Sequence, residues 1–191
     1  TQKDVIVRSA AKVLAKAREM ADEFFMVGGT DAHAGIDHWI EELVAEHLEA
    51  TPDEVTGKFC WSHLTLMAGG VKFDVCHHPE TSGYRPWTEH SATVRQSEII
   101  QDRYVEMGER VPDEAIRAHV HYFSTSGEPY KPRVVYLPPW QLTHKTTFGK
   151  RKGGLYYVRP IGGVWYQCQD GKALFDYKLF RGKSRPAWEK N

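Results

Sequence analysis

Ten histidines stand in 191 residues, and their positions say more than their number. His33 follows the apolar run Phe24-Phe25-Met26-Val27 and the pair Gly28-Gly29, His77 and His78 close the run Val71 to Cys76, and His119 and His121 close a segment that begins at Glu114. Each lies where a strand-like stretch runs out into a loop. In an open α/β sheet, ligands gather beyond the carboxyl ends of the strands, so such loops can converge on one pocket. Imidazole is the commonest metal ligand among side chains, and it is largely neutral at pH 7, as a ligand must be. The pair His119-Val120-His121 is the strongest local feature. On an extended backbone residues two apart point the same way, so both rings can face one cluster; if the backbone turns there, each ring can serve one of two adjacent ions. A pair of surface histidines is the plain alternative for an isolated His-x-His. With His77 and the glycine loop added, the balance moves to a metal site.

Other polar residues carry less. Asp74 is out of phase with His77 on its strand, which places it on an exposed face rather than among ligands. Arg117, close to His119, is as well suited to a substrate phosphate as to an ordinary strand-face charge. His63, His90 and His144 have no partner at useful spacing, and His38 and His47 share a helix with Trp39 and Leu43. No Ser or Cys sits in a nucleophile elbow, and Gly28-Gly29 lacks the Lys-Ser/Thr of a phosphate loop.

The elements that must position these groups follow from periodicity. Apolar residues from Val5 to Phe25 recur at three and four, the spacing of one helix face. Phe24 to Val27 then reads as a short buried strand opening into the glycine loop. Helix resumes through Trp39, Leu43 and Leu48, and Thr51-Pro52-Asp53-Glu54 reads as a further helical turn. Leu64 to Met67 and Val71 to Cys76, separated by Ala68-Gly69-Gly70, predict a hairpin. Thr88 to Met107 predicts a helix capped by Thr88, with Ala92, Ile99, Ile100, Tyr104 and Met107 inside. Strands are expected over Glu114 to Val120, Lys131 to Leu137, Leu155 to Val158, Gly163 to Gln169 and Ala173 to Phe180, with a turn at Gln169-Asp170-Gly171. Alternating elements followed by strands imply a layered α/β domain: a mixed sheet flanked by helices, with a β-rich C-terminal tail.

The histidine positions resemble the motif series of calcineurin-like metallophosphoesterases. Gly29-Thr30-Asp31-Ala32-His33 is similar to the family's third motif, Gly-Asn-His-Asp/Glu, although it lacks the Asn and its His lies two places late. His77 in Cys76-His77-His78-Pro79 matches the fourth, a lone His at a strand end. Ala118-His119-Val120-His121 matches the fifth, Gly-His-x-His, with Ala in place of Gly. The resemblance covers about residues 24 to 121, and Pro138-Pro139-Trp140 with the tail resembles a phage-type subgroup. It implies hydrolysis of a phosphate ester, monoester or diester, with two divalent transition metal ions; manganese, zinc and iron all accept imidazole. The implied metal ligands are His77, His119 and His121, and the catalytic role falls to His33 ordered by Asp31, or to Asp31. The family's first two motifs, Asp-x-His and Gly-Asp, and the strands that carry them, would lie before residue 1. Residues 1–191 are therefore expected to form a single, partial domain, close to inactive by itself: either a fragment of a longer protein, completed by an N-terminal segment or by assembly as a homo-oligomer, or a naturally shortened relative that has lost activity. The alternative is a non-catalytic domain that keeps the fold to bind metal or a partner.

Composition fits a cytoplasmic protein. Twenty-five basic residues match 25 acidic ones, so nucleic acid is possible but not indicated by overall charge, although Lys145 to Lys152 and Lys178 to Lys183 are locally basic. Cys60, Cys76 and Cys168 are too few and too irregular for a disulfide framework and are expected reduced. No apolar run approaches the roughly 18 residues of a membrane span.

Overall fold

The computed structural model describes residues 2–29, 39–83, 86–140 and 159–181. The chain divides into two compact units, Thr1–Leu66 with Asp74–His78, and Met67–Phe73 with Pro79–Asn191. Among the described residues no helix is long and apolar enough to cross a membrane.

The first unit begins with helix α1 (Gln2–Glu19), whose first turn carries Asp4 and whose last turn carries Lys16 and Arg18. Those signs suit the partial charges of the helix ends. The helix stops six residues short of Phe25, because Ala21 turns back to the Arg18 carbonyl and Arg18 itself donates to the Ala21 and Leu48 carbonyls. Phe24 is thereby released to pack with Met26 beneath helix α2 (Trp39–His47). Ala11, Val44 and Leu48 close the α1 to α2 contact. Strand β1 (Met26–Val27) pairs in parallel with β2 (Cys60–Trp61). Near Pro52 the expected helical turn is a single turn held by Asp53, which accepts from Val55 N–H and Thr56 Oγ1.

A five-stranded mixed sheet carries the rest, in the order β3 (His63–Ala68), β4 (Val71–Cys76), β5 (Glu114–Arg117), β7 (Arg133–Tyr136), β6 (Ser124–Thr125). β5 and β7 run parallel, and β6 runs antiparallel to β7. All four residues of β7 are buried, as befits a strand covered on both faces. A 3-10 turn (Pro86–Thr88) leads into helix α3 (Glu89–Glu106), which packs on β7 and β6. Ala92, Ile100 and Tyr104 meet Ala115, Tyr122, Val134 and Tyr136 in the core of this unit. Each such large side chain contributes about 1.5–3 kcal/mol on burial.

The inner stripe of α3 differs from the one expected. Met107 is exposed, and Thr93, Gln96 and Ser97 are buried instead. Each of the three bonds to backbone: Thr93 donates to the His90 carbonyl, Ser97 to that of Pro132, and Gln96 Oε1 accepts from Glu80 and Thr81, while Gln96 Nε2 is buried without a partner among the described residues. Thr88 stands at the N-cap position without a side-chain cap bond. The tail is the hairpin β8 (Ile161–Gln169) and β9 (Lys172–Phe180), with Asp170 and Gly171 at φ 52° and 73° in its turn. Val164, Tyr166 and Cys168 are half-buried while Trp165, Gln167 and Gln169 are exposed, the alternation expected of it. The strand expected at Leu155 to Val158 lies outside the described residues.

Arg133 ties this hairpin to the sheet. Its guanidinium makes two bonds to Glu114, at 2.5 and 2.9 Å, and stacks 4.9 Å from the Phe175 ring. Both members of the pair are nearly inaccessible. The turn of β3–β4 meets the turn of β8–β9, where Gly171 N–H donates to Gly69 O at 2.8 Å. Gly69 has φ +54°, and a Cβ there would lie 2.4 Å from the Cys168 carbonyl oxygen. Only glycine fits that approach.

Candidate metal centre

Within the first unit, β4 ends at Cys76 and delivers His77 and His78 in succession. Their rings sit edge to face with centroids 4.8 Å apart, and each has a ring nitrogen within 4.8 Å of the other's. His77 is half-buried and His78 exposed. Cys76 Sγ donates to the His78 carbonyl at 3.2 Å, which turns the backbone between the two imidazoles.

The strand end beside them is built from glycine for reasons of space. Gly28 N–H donates to the Trp61 carbonyl, and Gly29 N–H to Glu41 Oε2 at 2.7 Å. A Cβ on Gly29 would stand 2.9 Å from Glu41 Oε1 and 3.5 Å from His77 Cε1. Glu41 and His77 therefore flank the same backbone position. Sequence reasoning missed Glu41. The signal available was a carboxylate in the first turn of the helix that follows the glycine loop. Its neighbour Glu42 accepts from both Phe59 N–H and Cys60 N–H, at 2.8 and 2.7 Å, so the two glutamates pin β1, β2 and α2 together. Burial pushes the Cys60 thiol up to about 12, and the Glu41 and Glu42 carboxylates add to the shift.

In the second unit β5 ends at Arg117, three residues earlier than expected. The last rung is Leu137 N–H to the Arg117 carbonyl. His119 then has φ 61° and His121 φ 57°, both in the left-handed region, and Val120 N–H folds back to the Ala118 carbonyl at 2.7 Å. The backbone turns here instead of extending, so the two rings are not presented as alternate residues of a strand. Left-handed backbone costs a residue with a Cβ roughly 1–2 kcal/mol. Two such residues within three positions mark a segment held in place for something other than chain stability. Both histidines are exposed.

Asp31 and His33 lie outside the described residues. Asp74, expected on an exposed face, is 2% exposed: Phe73 and Asp74 are both buried because β4 is an inner strand of the sheet. Its Oδ2 sits 3.1 Å from His63 Nε2, so His63 does have a partner, on the adjacent strand of the hairpin. Arg117 is 5% exposed and donates to the Ile116 carbonyl. His90 Nδ1 meets the Thr125 carbonyl.

No protein-family model matches the sequence, and no curated protein matches it. Among solved structures, the chain is similar to Vps29 of Entamoeba histolytica in a single-mutant form, at 13% identity and a TM-score of 0.36 over 68% of this chain and 65% of that one. Wild-type Vps29 of the same organism, solved with zinc, gives 13% identity and a TM-score of 0.35 over 65% of this chain and 66% of that one. The Thermotoga maritima protein TM1076 gives 15% identity and a TM-score of 0.40 over 88% of this chain and 73% of that one. The chain thus spans slightly less than two thirds of the length of the Vps29 chains it matches.

Proposed function

We propose that this chain is the histidine-bearing part of a metal-dependent phosphate-ester hydrolase of the calcineurin-like metallophosphoesterase type. The observation that carries the reading is the left-handed backbone at both His119 and His121, directly after β5. A fold holds two non-glycine residues in that conformation at a cost, and a liganding role for the two imidazoles accounts for it. The His77 to His78 pair after β4 supports the same reading from the other unit. Neutral imidazole nitrogens suit manganese, zinc or iron, so the donor chemistry fits the implied metal. His77, His119 and His121 would hold divalent metal, with His78 beside His77. When bound, two such ions would supply Lewis-acid stabilisation of a phosphoryl group and a nucleophile at neutral pH.

The chain's own groups have separate tasks. Glu41 fixes the Gly29 backbone beside His77. Asp31 and His33 follow Gly29 in the sequence, and one of them would give the leaving oxygen its proton. The alternative reading is a metal-binding or partner-binding domain without catalysis. The exposure of His78, His119 and His121 favours it, since a side chain from another protein could complete such a site.

The test is elemental analysis of purified protein, titration with zinc and manganese, and hydrolysis of p-nitrophenyl phosphate and its bis ester. Metal uptake lost in His77→Ala, His119→Ala and His121→Ala variants, with hydrolysis that follows the metal, is the expected result. Uptake equal to that of the triple variant rejects the site, and uptake without hydrolysis on either ester selects the alternative.

A further inference from the structure

Among the described residues β8 and β9 pair only with each other, so β9 keeps an outer edge nine residues long. Its register with β8 is unbroken from Gln169 and Lys172 to Ile161 and Phe180, and the strand holds neither a proline nor a bulge. Proteins ordinarily blunt an edge with such devices, because its outward N–H and C=O groups are a template for another strand. Of the two strands β9 is the more exposed: Leu174 is 70% accessible and Phe180 53%. Two contacts fix which of its backbone groups point outward. The Ala173 carbonyl accepts from Arg133 Nη2 at 3.5 Å, and Tyr177 N–H donates to Asp176 Oδ1 at 2.8 Å. Along an antiparallel pair the direction of these groups alternates residue by residue. Phe175, Tyr177 and Leu179 therefore turn their backbone groups away from β8. Their side chains occupy the inner face, where Phe175 and Tyr177 meet Phe123, and those of Leu174, Asp176, Lys178 and Phe180 share the outer one.

The order of the outer side chains says which strand fits. Positions 174, 176, 178 and 180 read apolar, acidic, basic, apolar. Turned end for end about Tyr177, that order is its own complement: Asp176 falls opposite Lys178 of a second copy, and Leu174 opposite Phe180 of that copy. A slide of two residues in either direction sets Asp176 against Asp176 or Lys178 against Lys178, and like charges directly opposite are destabilising. We propose that β9 pairs antiparallel with β9 of a second copy about a two-fold axis at Tyr177, joining the two hairpins into one four-stranded sheet. Every contact then occurs twice, as a two-fold interface requires. Rungs at Phe175, Tyr177 and Leu179 supply about six backbone hydrogen bonds. Tyr177 N–H passes from the Asp176 carboxylate to the Tyr177 carbonyl of the second copy, and the released carboxylate meets the Lys178 ammonium across the axis. Leu174 and Phe180, both exposed in the single chain, cover each other. This edge is separate from the histidines and does not rest on the metal reading.

The test is analytical ultracentrifugation of the full chain over a wide concentration range, with a chelator present so that no metal bridges the exposed histidines. A dimer that forms with rising concentration is expected. Lys178→Glu sets two acidic side chains opposite each other on both sides of the axis and should raise the dimer Kd at least about 10-fold. Asp176→Lys combined with Lys178→Glu restores opposite signs across the axis and should return the Kd to within about 3-fold of wild type. Tyr177→Cys places two sulfurs at the axis, where Cα atoms about 5.5 Å apart suit a disulfide. That variant should oxidise to a covalent dimer that the wild-type chain, with Cys60, Cys76 and Cys168, does not form. A monomer at every concentration up to about 1 mM, the result if a different protein covers this edge, overturns the proposal. So does a dimer whose Kd Lys178→Glu leaves unchanged, since it would lie on another surface. A loss in Lys178→Glu that the charge-swapped variant does not recover, or no covalent dimer in Tyr177→Cys, shows that the strands do not meet in this register and also overturns it.

Discussion

The buried pair Glu114 and Arg133 lends itself to a graded perturbation. Removing the cation alone, as Arg133→Met, leaves a carboxylate that is 4% exposed with its two strongest bonds gone. The attraction between unit charges about 4 Å apart is about 4 kcal/mol at an effective dielectric constant near 20. Breaking such a pair by removing one member costs about 3–5 kcal/mol. For a chain of this size that is about 10 °C in Tm, at roughly 2–4 °C per kcal/mol. Removing both charges, as Glu114→Leu with Arg133→Met, has a different sign. Burial raises the Glu114 carboxyl above its ordinary 4.5, although Arg133 pulls it down. A carboxyl raised in the folded state binds its proton more tightly there than in the unfolded chain. Its contribution to stability is therefore fullest below the ordinary value and declines as pH rises through the raised one. The doubly apolar variant should equal or exceed the wild type at neutral pH, and its advantage should shrink on acidification towards 4.5. Arg133→Met should suffer less at low pH for the same reason. Urea unfolding of the three proteins across acid to neutral pH reads all of this. If Arg133→Met costs under about 1 kcal/mol at neutral pH, or matches the double variant there, the pair is not buried as described.

Gly69→Ala should cost about 3 kcal/mol or more in urea unfolding, since it meets both a left-handed backbone and the Cys168 carbonyl, whereas Gly57→Ala, at φ +70° with open space, should cost about 1 kcal/mol. Although burial alone would raise it, Asp113 is held below 3.8 by Lys72 N–H, Lys131 and Arg110. Its contribution to stability is present above the ordinary value and should be lost as pH falls through the lower folded one, so Asp113→Asn should flatten the acid limb of a pH–stability curve. Alkylation by iodoacetamide at pH 8 should reach Cys76 well before Cys60, whose thiol is pushed up to about 12; peptide mapping showing Cys60 labelled first in folded protein would contradict its burial.

The hairpins were legible because two-residue alternation and glycine turns act locally: β3–β4 and β8–β9 appear within a residue or two of where Ala68-Gly69-Gly70 and Asp170-Gly171 put them. The ends of α1 and β5 were not. Arg18 reaching Leu48 and Leu137 closing on Arg117 are decided by residues 20 or more positions away. The burial of Thr93, Gln96 and Ser97 escaped a reading based on apolar spacing, because what makes them core residues is the backbone they bind. At the candidate site, the strand-end positions of His77, His78, His119 and His121 could be read from residue types. The turned backbone at His119 and His121 could not, since histidine takes extended backbone as readily and nothing in its spacing marks a turn. Glu41 was hidden because its partner is a backbone N–H, which every position offers alike.

The meeting of Gly69 with Gly171 also bears on how the chain reaches this fold. The two turns lie about 100 residues apart, and closing a loop of that length costs about 4 kcal/mol of chain entropy before the contact returns anything. The β3–β4 turn is synthesised about 100 residues ahead of its partner. Docking of the β8–β9 hairpin then follows formation of the β3–β4 turn, and until it happens the Arg133 side chain lacks its Phe175 cover. A truncation before Ile161 would leave that earlier state as the end point, and its signature would be a faster, less cooperative unfolding of the remaining sheet.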